Sequence, residues 1–114
     1  MTAPLSASTP PRPLAIITGA SEGLGRELAE LYACDGHDLL LVARRGELLR
    51  EVARDIAARH GVGVEAVVAD LATRAGCDAV VAAAEPSRAR LIALVNNAGV
   101  GALGHFDTLP WERE

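Results

Sequence analysis

The sequence predicts an α/β protein: a parallel sheet with helices on both faces, wound outward in two directions from its middle strands. Three observations predict it. Short apolar runs bounded by turn residues alternate with longer segments of helical spacing, in the order βαβαβαβ followed by the start of another helix. The run Asp38–Ala43 (Asp-Leu-Leu-Leu-Val-Ala) has an unbroken apolar stretch, which means burial on both faces, the mark of a parallel strand. A glycine-rich turn, Thr18-Gly19-Ala20-Ser21-Glu22-Gly23-Leu24-Gly25, joins the first apolar run to the first helix. Strand–helix–strand units are right-handed in nearly all proteins, and the pattern reads as the first half of a doubly wound sheet, with strand order 3-2-1-4.

The elements follow in order. Residues 1–13 carry Pro4, Pro10, Pro11 and Pro13 among Ser and Thr, and read as a flexible, partly extended leader. Leu14–Thr18 is a buried strand between Pro13 and Gly19. The first helix runs over 23–34 with a Leu24, Leu28, Leu31 stripe facing inward and Glu27 and Glu30 facing away. Gly36 caps its end in the left-handed region. Asp38–Ala43 is the second strand. A second helix covers 47–60, with Leu48, Leu49, Val52 and Ile56 inward, and stops at Gly61. The third strand is 64–69. Thr73 is the N-cap of a third helix through Glu85 with Cys77, Val80, Val81 and Ala84 inward, closed by Pro86. Leu91–Val95 is the fourth strand. A glycine-rich loop, 100–104, leads to a further helix start, with Asp107 or Thr108 as cap and Pro110 in the first turn.

Composition narrows the function classes. The 114 residues make one small domain, and with 50% apolar residues a packed core is available. The net charge of −4 argues against nucleic acid or an anionic membrane as the main partner. No stretch approaches transmembrane length, and the N-terminus lacks an apolar core of signal-peptide length, so a cytoplasmic location is the expectation. Cys34 and Cys77 lack metal-ligand spacing. Both fall on helices among apolar neighbours and read as buried free thiols, with a disulfide as the other reading. No metal site is expected.

Strand, glycine turn and helix form the context in which a glycine motif seats a nucleotide. Gly19 lets the chain turn sharply off the strand. Gly23 removes a side chain where backbone would approach a pyrophosphate, and Gly25 lets the helix lie close to the sheet. The N–H groups and positive dipole end of the helix then face an anion, with the Ser21 hydroxyl beside them. Glu22 is out of place next to a phosphate and is expected to point to solvent. The other reading is a turn whose glycines serve geometry alone.

The glycines fall at 19, 23 and 25, a Thr-Gly-x-x-x-Gly-x-Gly spacing instead of Gly-x-Gly-x-x-Gly. This resembles the short-chain dehydrogenase/reductase family, which uses that variant of the Rossmann fingerprint. Asn96-Asn97-Ala98-Gly99, directly after the fourth strand, is a second match, and the resemblance runs from Leu14 to the end of the sequence. It implies a nicotinamide dinucleotide held by Thr18, Gly19, Ser21, Gly23, Leu24 and Gly25. It also implies sheet-pinning by the asparagines, with Asn96 counted among the cofactor-site residues and Ala98 and Gly99 passing under the cofactor ribose. Asp70 resembles the residue that binds the adenine amino group, with Leu71 as the apolar wall beside the ring; a helix or turn cap is the other reading of Asp70.

Many NAD-binding domains place a carboxylate after the second strand, on the ribose 2′-OH. Here Arg44 and Arg45 stand there, and guanidinium forks suit a 2′-phosphate. NADP is therefore expected over NAD; a solvated helix start is the plain alternative for both arginines.

The family's activity, carbonyl reduction or alcohol oxidation by hydride transfer, resembles a proton relay run by Ser and Tyr-x-x-x-Lys. A fixed cation beside the phenol shifts its pKa toward working pH. All eleven basic residues here are arginine, and the only tyrosine, Tyr32, lies on the first helix. His105 alone among the histidines could touch a substrate. The expectation is thus a dinucleotide-binding half, residues 14–114, without catalytic residues and inactive alone. A nucleotide-binding or interaction module, or a truncated product without function, is the alternative. The resemblance implies a small-molecule carbonyl or alcohol substrate and a homo-oligomer for an intact relative, and leaves the oligomer doubtful here.

Overall fold

The computed structural model describes residues 11–97. The element order is β1 (Leu14–Thr18), α1 (Gly23–Cys34), β2 (Asp38–Ala43), α2 (Gly46–His60), β3 (Val64–Val68), α3 (Arg74–Ala84), a 3₁₀ segment (Glu85–Arg90) and β4 (Leu91–Val95). The four strands form one parallel sheet in the order β3-β2-β1-β4. This is the expected order, and the fold is the N-terminal half of a Rossmann sheet. Ile16 lies opposite Leu40 on one side and Leu94 on the other, and Leu41 opposite Ala66.

Alternation along each strand divides the core into two layers. Leu14, Ile16, Leu40 and Val42 pack with Leu71 and the α3 residues Cys77, Val80 and Ala84. Ala15, Ile17, Leu39 and Leu41 pack on the opposite face with Ala29 and Ala33 of α1 and with Leu49, Val52, Ala53 and Ile56 of α2. Helices therefore cover both faces, which is why β1 and β2 are apolar at every position but the last of β1, Thr18, and the first of β2, Asp38. Full burial of each Ile or Leu contributes roughly 1.5–3 kcal/mol.

The inward face of α1 differs from the expected one. Leu24 and Leu31 are 62% and 66% exposed, and Leu28 is half-buried. Gly25, Ala29 and Ala33 face the sheet instead. The neighbouring stripe of small residues wins because it lets the helix axis come close to the strands, which the tight turn after β1 requires. Glu30 is also turned inward, toward α2, where Arg59 and His60 donate to its carboxylate. Cys34 is exposed and Cys77 buried; both are free thiols.

Helix ends follow local chemistry. α1 closes with Gly36 at φ +86°. The N–H of Gly36 bonds Ala33 O and that of His37 bonds Tyr32 O, a Schellman pair. α2 stops at Gly61, also left-handed. The Thr73 side chain accepts from Gly76 N at 3.0 Å and caps α3. Pro86 does not end the helical path. It sits in the first turn of the 3₁₀ segment, where its missing N–H costs nothing. At the N-terminus, Arg12 and Pro13 are tied down rather than part of a free leader: Asp38 N donates to Pro13 O at 2.9 Å, and the Arg90 guanidinium bonds both Arg12 O and the Asp38 carboxylate. Among the described residues, β4 pairs only with β1, and no helix is long and apolar enough to cross a membrane.

Candidate functional site

The carboxyl ends of the strands form the cleft edge, where an open α/β sheet binds ligands. β1 delivers Thr18 and Gly19 there. Gly19 and Gly23 both adopt left-handed φ, +64° and +61°. Between them Ala20 and Ser21 are buried, and Ala20 N donates to Val42 O at 3.2 Å, which anchors the turn on β2. A Cβ on Gly25 would lie 2.0 Å from Gly19 O, so the first turn of α1 rests directly on the glycine turn.

The segment after β4 is knitted onto the same turn. The Thr18 hydroxyl is fully buried and accepts from Asn97 N at 2.8 Å. Its own proton points toward Asn96 Oδ1 (3.3 Å) and Val95 O (3.4 Å). Asn97 Nδ2 donates to Gly19 O at 3.3 Å, and a Cβ on Gly19 would press on Asn97 at 3.1 Å. Asn97, absent from the expected set of ligand residues, is thus the residue that fixes the turn. The structure uses Thr18 as the hub of this joint, a role no spacing reveals.

Arg44 and Arg45 follow β2 on the same edge, both exposed. Glu22 is exposed as expected, yet it leans on Arg45, with Oε1 3.7 Å from Nη1. Leu24 lies on the exposed rim at the start of α1.

At the end of β3, Asp70 Oδ1 accepts from Ala72 N at 3.0 Å, while its carbonyl accepts from Thr73 N and Oγ1. The turn-cap reading of Asp70 is therefore realised by one of its carboxylate oxygens. Leu71 is only 4% exposed and packs in the core with Leu40, Val42 and Cys77. Gly76 was missed in sequence. A Cβ there would lie 1.9 Å from Asp70 O, so Gly76 is what lets α3 close on the Asp70 turn. A glycine in the first turn of a helix, at a cost of about 1 kcal/mol against Ala, was the available signal. Ala98, Gly99 and His105 lie outside the described residues.

Tyr32 stands at the far end of α1, away from the cleft edge. Its ring meets His37 edge-on at 5.1 Å, a packing contact. Among the described residues, no group of three or more His, Cys, Asp or Glu could hold a metal ion.

The cleft edge fits an anionic dinucleotide. A Cβ on Gly23 would meet nothing within 4 Å, so the turn opens onto free space. The N-cap side chain of α1, Glu22, makes no capping bond and its first turn holds no acidic residue, in contrast to α3, which Thr73 caps. Among the described residues the N-cap of α1 makes no side-chain bond to the leading N–H groups, the kind of helix start at which an anion accepts. Asn96 Nδ2 is buried without a partner among the described residues, one more donor for a group outside them.

A parallel sheet of this order with a glycine turn at its centre defines a Rossmann-type dinucleotide-binding domain. The sequence profile of the short chain dehydrogenase family matches residues 13–113, and the chain belongs to that family. A 1,6-dihydroxycyclohexa-2,4-diene-1-carboxylate dehydrogenase from Pseudomonas putida is 45% identical over 89 residues, covering 75% of this chain and 31% of that protein. A sepiapterin reductase from Xenopus tropicalis is 41% identical over 93 residues, covering 75% and 36%. Among solved structures, L-sorbose reductase from Gluconobacter frateurii, complexed with NADPH and L-sorbose, superposes with a TM-score of 0.74 at 42% identity, covering 79% of this chain and 34% of that one. The chain spans about a third of the length of these proteins.

Proposed function

We propose that this chain is the dinucleotide-binding part of an NADP(H)-dependent short-chain oxidoreductase that interconverts carbonyls and alcohols. The observation that carries the reading is the placement of Arg44 and Arg45 at the end of β2, on the same edge as the glycine turn and with no carboxylate in the ribose position. A nicotinamide cofactor, when bound, would supply the hydride for carbonyl reduction and accept it in alcohol oxidation. The chain's own residues hold the cofactor. Gly19, Ser21, Gly23, Leu24 and Gly25 shape the pyrophosphate seat, with the N–H groups at the start of α1. Arg44 and Arg45 take the 2′-phosphate, with Arg44 the main contact. Asp70 receives the adenine amino group through its second carboxylate oxygen, and Asn96, Ala98 and Gly99 support the ribose. The NADPH complexes of similar proteins support this choice of cofactor.

The chain alone binds without turnover in this reading. It has no lysine, and its one tyrosine packs against His37 at the wrong end of α1. No phenol–cation pair is present to move the carbonyl proton.

Calorimetry of the purified chain with 2′,5′-ADP and with 5′-AMP tests the reading. Binding of 2′,5′-ADP at least tenfold tighter than 5′-AMP is expected, with most of the difference lost in Arg44→Ala. A folded chain that binds neither nucleotide, or both equally, refutes it. NADPH consumption with a carbonyl substrate by the chain alone would overturn the inactive part.

A further inference from the structure

Glu22 and Arg45 occupy equivalent places on neighbouring elements. Each is the N-cap residue of its helix, α1 and α2 respectively, and neither side chain makes a capping bond. Glu22 has extended backbone, φ −160°, and projects away from its own helix toward the end of β2. Its Oε1 lies 3.7 Å from Arg45 Nη1. A carboxylate therefore already stands beside one of the two guanidiniums offered to a 2′-phosphate. The carboxylate stands on the Nη1 side of Arg45, so a phosphate that takes the Nη1–Nη2 fork has to displace it.

We infer that Glu22 sets the degree to which the site discriminates 2′-phosphorylated from unphosphorylated adenosine ends, by competing with the 2′-phosphate for Arg45. This rests on the cofactor reading above and goes beyond it. In the free protein Glu22 neutralises Arg45; on binding, Arg45 leaves Glu22 for the phosphate, and the freed carboxylate repels the same dianion. Both effects weaken the hold on the 2′-phosphate and leave the rest of the nucleotide alone. Both side chains are largely exposed, so the competition is modest and screened by salt.

The test is the affinity ratio of 2′,5′-ADP to 5′-AMP, measured by calorimetry on the full chain, its Glu22→Gln and Arg45→Ala variants, and the double variant. Glu22→Gln is expected to raise the ratio roughly three- to fivefold at ~20 mM salt and by less than about twofold at ~0.5 M. In the Arg45→Ala background, Glu22→Gln is expected to raise the ratio by less than about twofold, the residue of direct repulsion alone, since the contested partner is gone. An unchanged or lowered ratio in Glu22→Gln, with both nucleotides still bound, overturns the inference and leaves the cofactor reading standing. So does an equal gain for both nucleotides, or a full gain in the Arg45→Ala background. Failure of the unaltered chain to bind either nucleotide overturns both.

Discussion

Gly25→Ala tests the central packing claim, that α1 can sit on the glycine turn only because position 25 has no Cβ. The added methyl would lie 2.0 Å from Gly19 O and 2.8 Å from both Gly19 C and Asn97 Nδ2. Ordinary contact begins near 3.4 Å, so α1 would have to retreat by roughly 1.4 Å. The obstacle is backbone oxygen, held in turn by the Asn97 amide at 3.3 Å, and it has no flexible end to swing aside. Overpacking of this kind costs about 1–3 kcal/mol, and the rigid obstacle puts this site at the upper end. For a domain of this size, 3 kcal/mol lowers Tm by roughly 12–24 °C.

Gly36→Ala is the control. A Cβ there meets nothing within 4 Å, but φ is +86°. Its cost is conformational only, about 1–2 kcal/mol. Thermal melts followed by circular dichroism are expected to rank wild type above Gly36→Ala above Gly25→Ala. Only Gly25→Ala should also lose 2′,5′-ADP binding. A Gly25→Ala variant that melts within ~2 °C of wild type and keeps its nucleotide affinity would refute the close approach.

Thr18→Val keeps the shape of the side chain and removes the acceptor of Asn97 N–H, so it should cost about 1–3 kcal/mol in urea unfolding; a change under ~0.3 kcal/mol would mean the joint is not held by this hydroxyl. Thiol titration should find one fast-reacting cysteine in the folded chain, the exposed Cys34, and a second only on unfolding, because Cys77 is buried and burial pushes its thiol pKa up. Glu30 is held below its usual carboxylate value, chiefly by the Arg59 hydrogen bond. A lowered folded pKa gives stability that is fully present above the ordinary value of ~4.3 and is lost as pH falls through the folded value. Acid unfolding curves of Glu30→Gln should therefore be flatter on the acid side, with a loss at pH 7 of no more than about 1 kcal/mol; curves of equal slope would show that the pair is not coupled to folding.

Much of the fold is legible along the chain because it depends on near neighbours. An unbroken apolar run as short as Leu39–Leu40–Leu41–Val42, bounded by turn residues, reads as a strand buried on both faces. Gly36 and Gly61 stop helices through their own backbone freedom, and Thr73 caps α3 with a bond three residues long. The strand order 3-2-1-4 is that of the first half of a doubly wound sheet, which the alternation of strands and helices announces. The cleft edge was legible for the same reason: glycine turn, Arg44-Arg45 and Asp70 each directly follow a strand, and parallel strands bring their carboxyl ends to one edge.

What required the tertiary structure is whatever depends on distance across the chain. α1 carries two adjacent stripes, Leu24, Leu28, Leu31 and Gly25, Ala29, Ala33, and helical periodicity favours the leucines. The choice goes the other way because a helix that begins on the turn of its own strand must lie close, and close approach selects small residues over large ones. The same distinction separates Cys34 from Cys77 and turns Glu30 toward α2. Local pattern placed the glycine turn at the sheet's edge. Only the fold, by setting Asn97 against Gly19 and Glu22 beside Arg45, decided what holds that turn and which carboxylate stands next to the arginine pair.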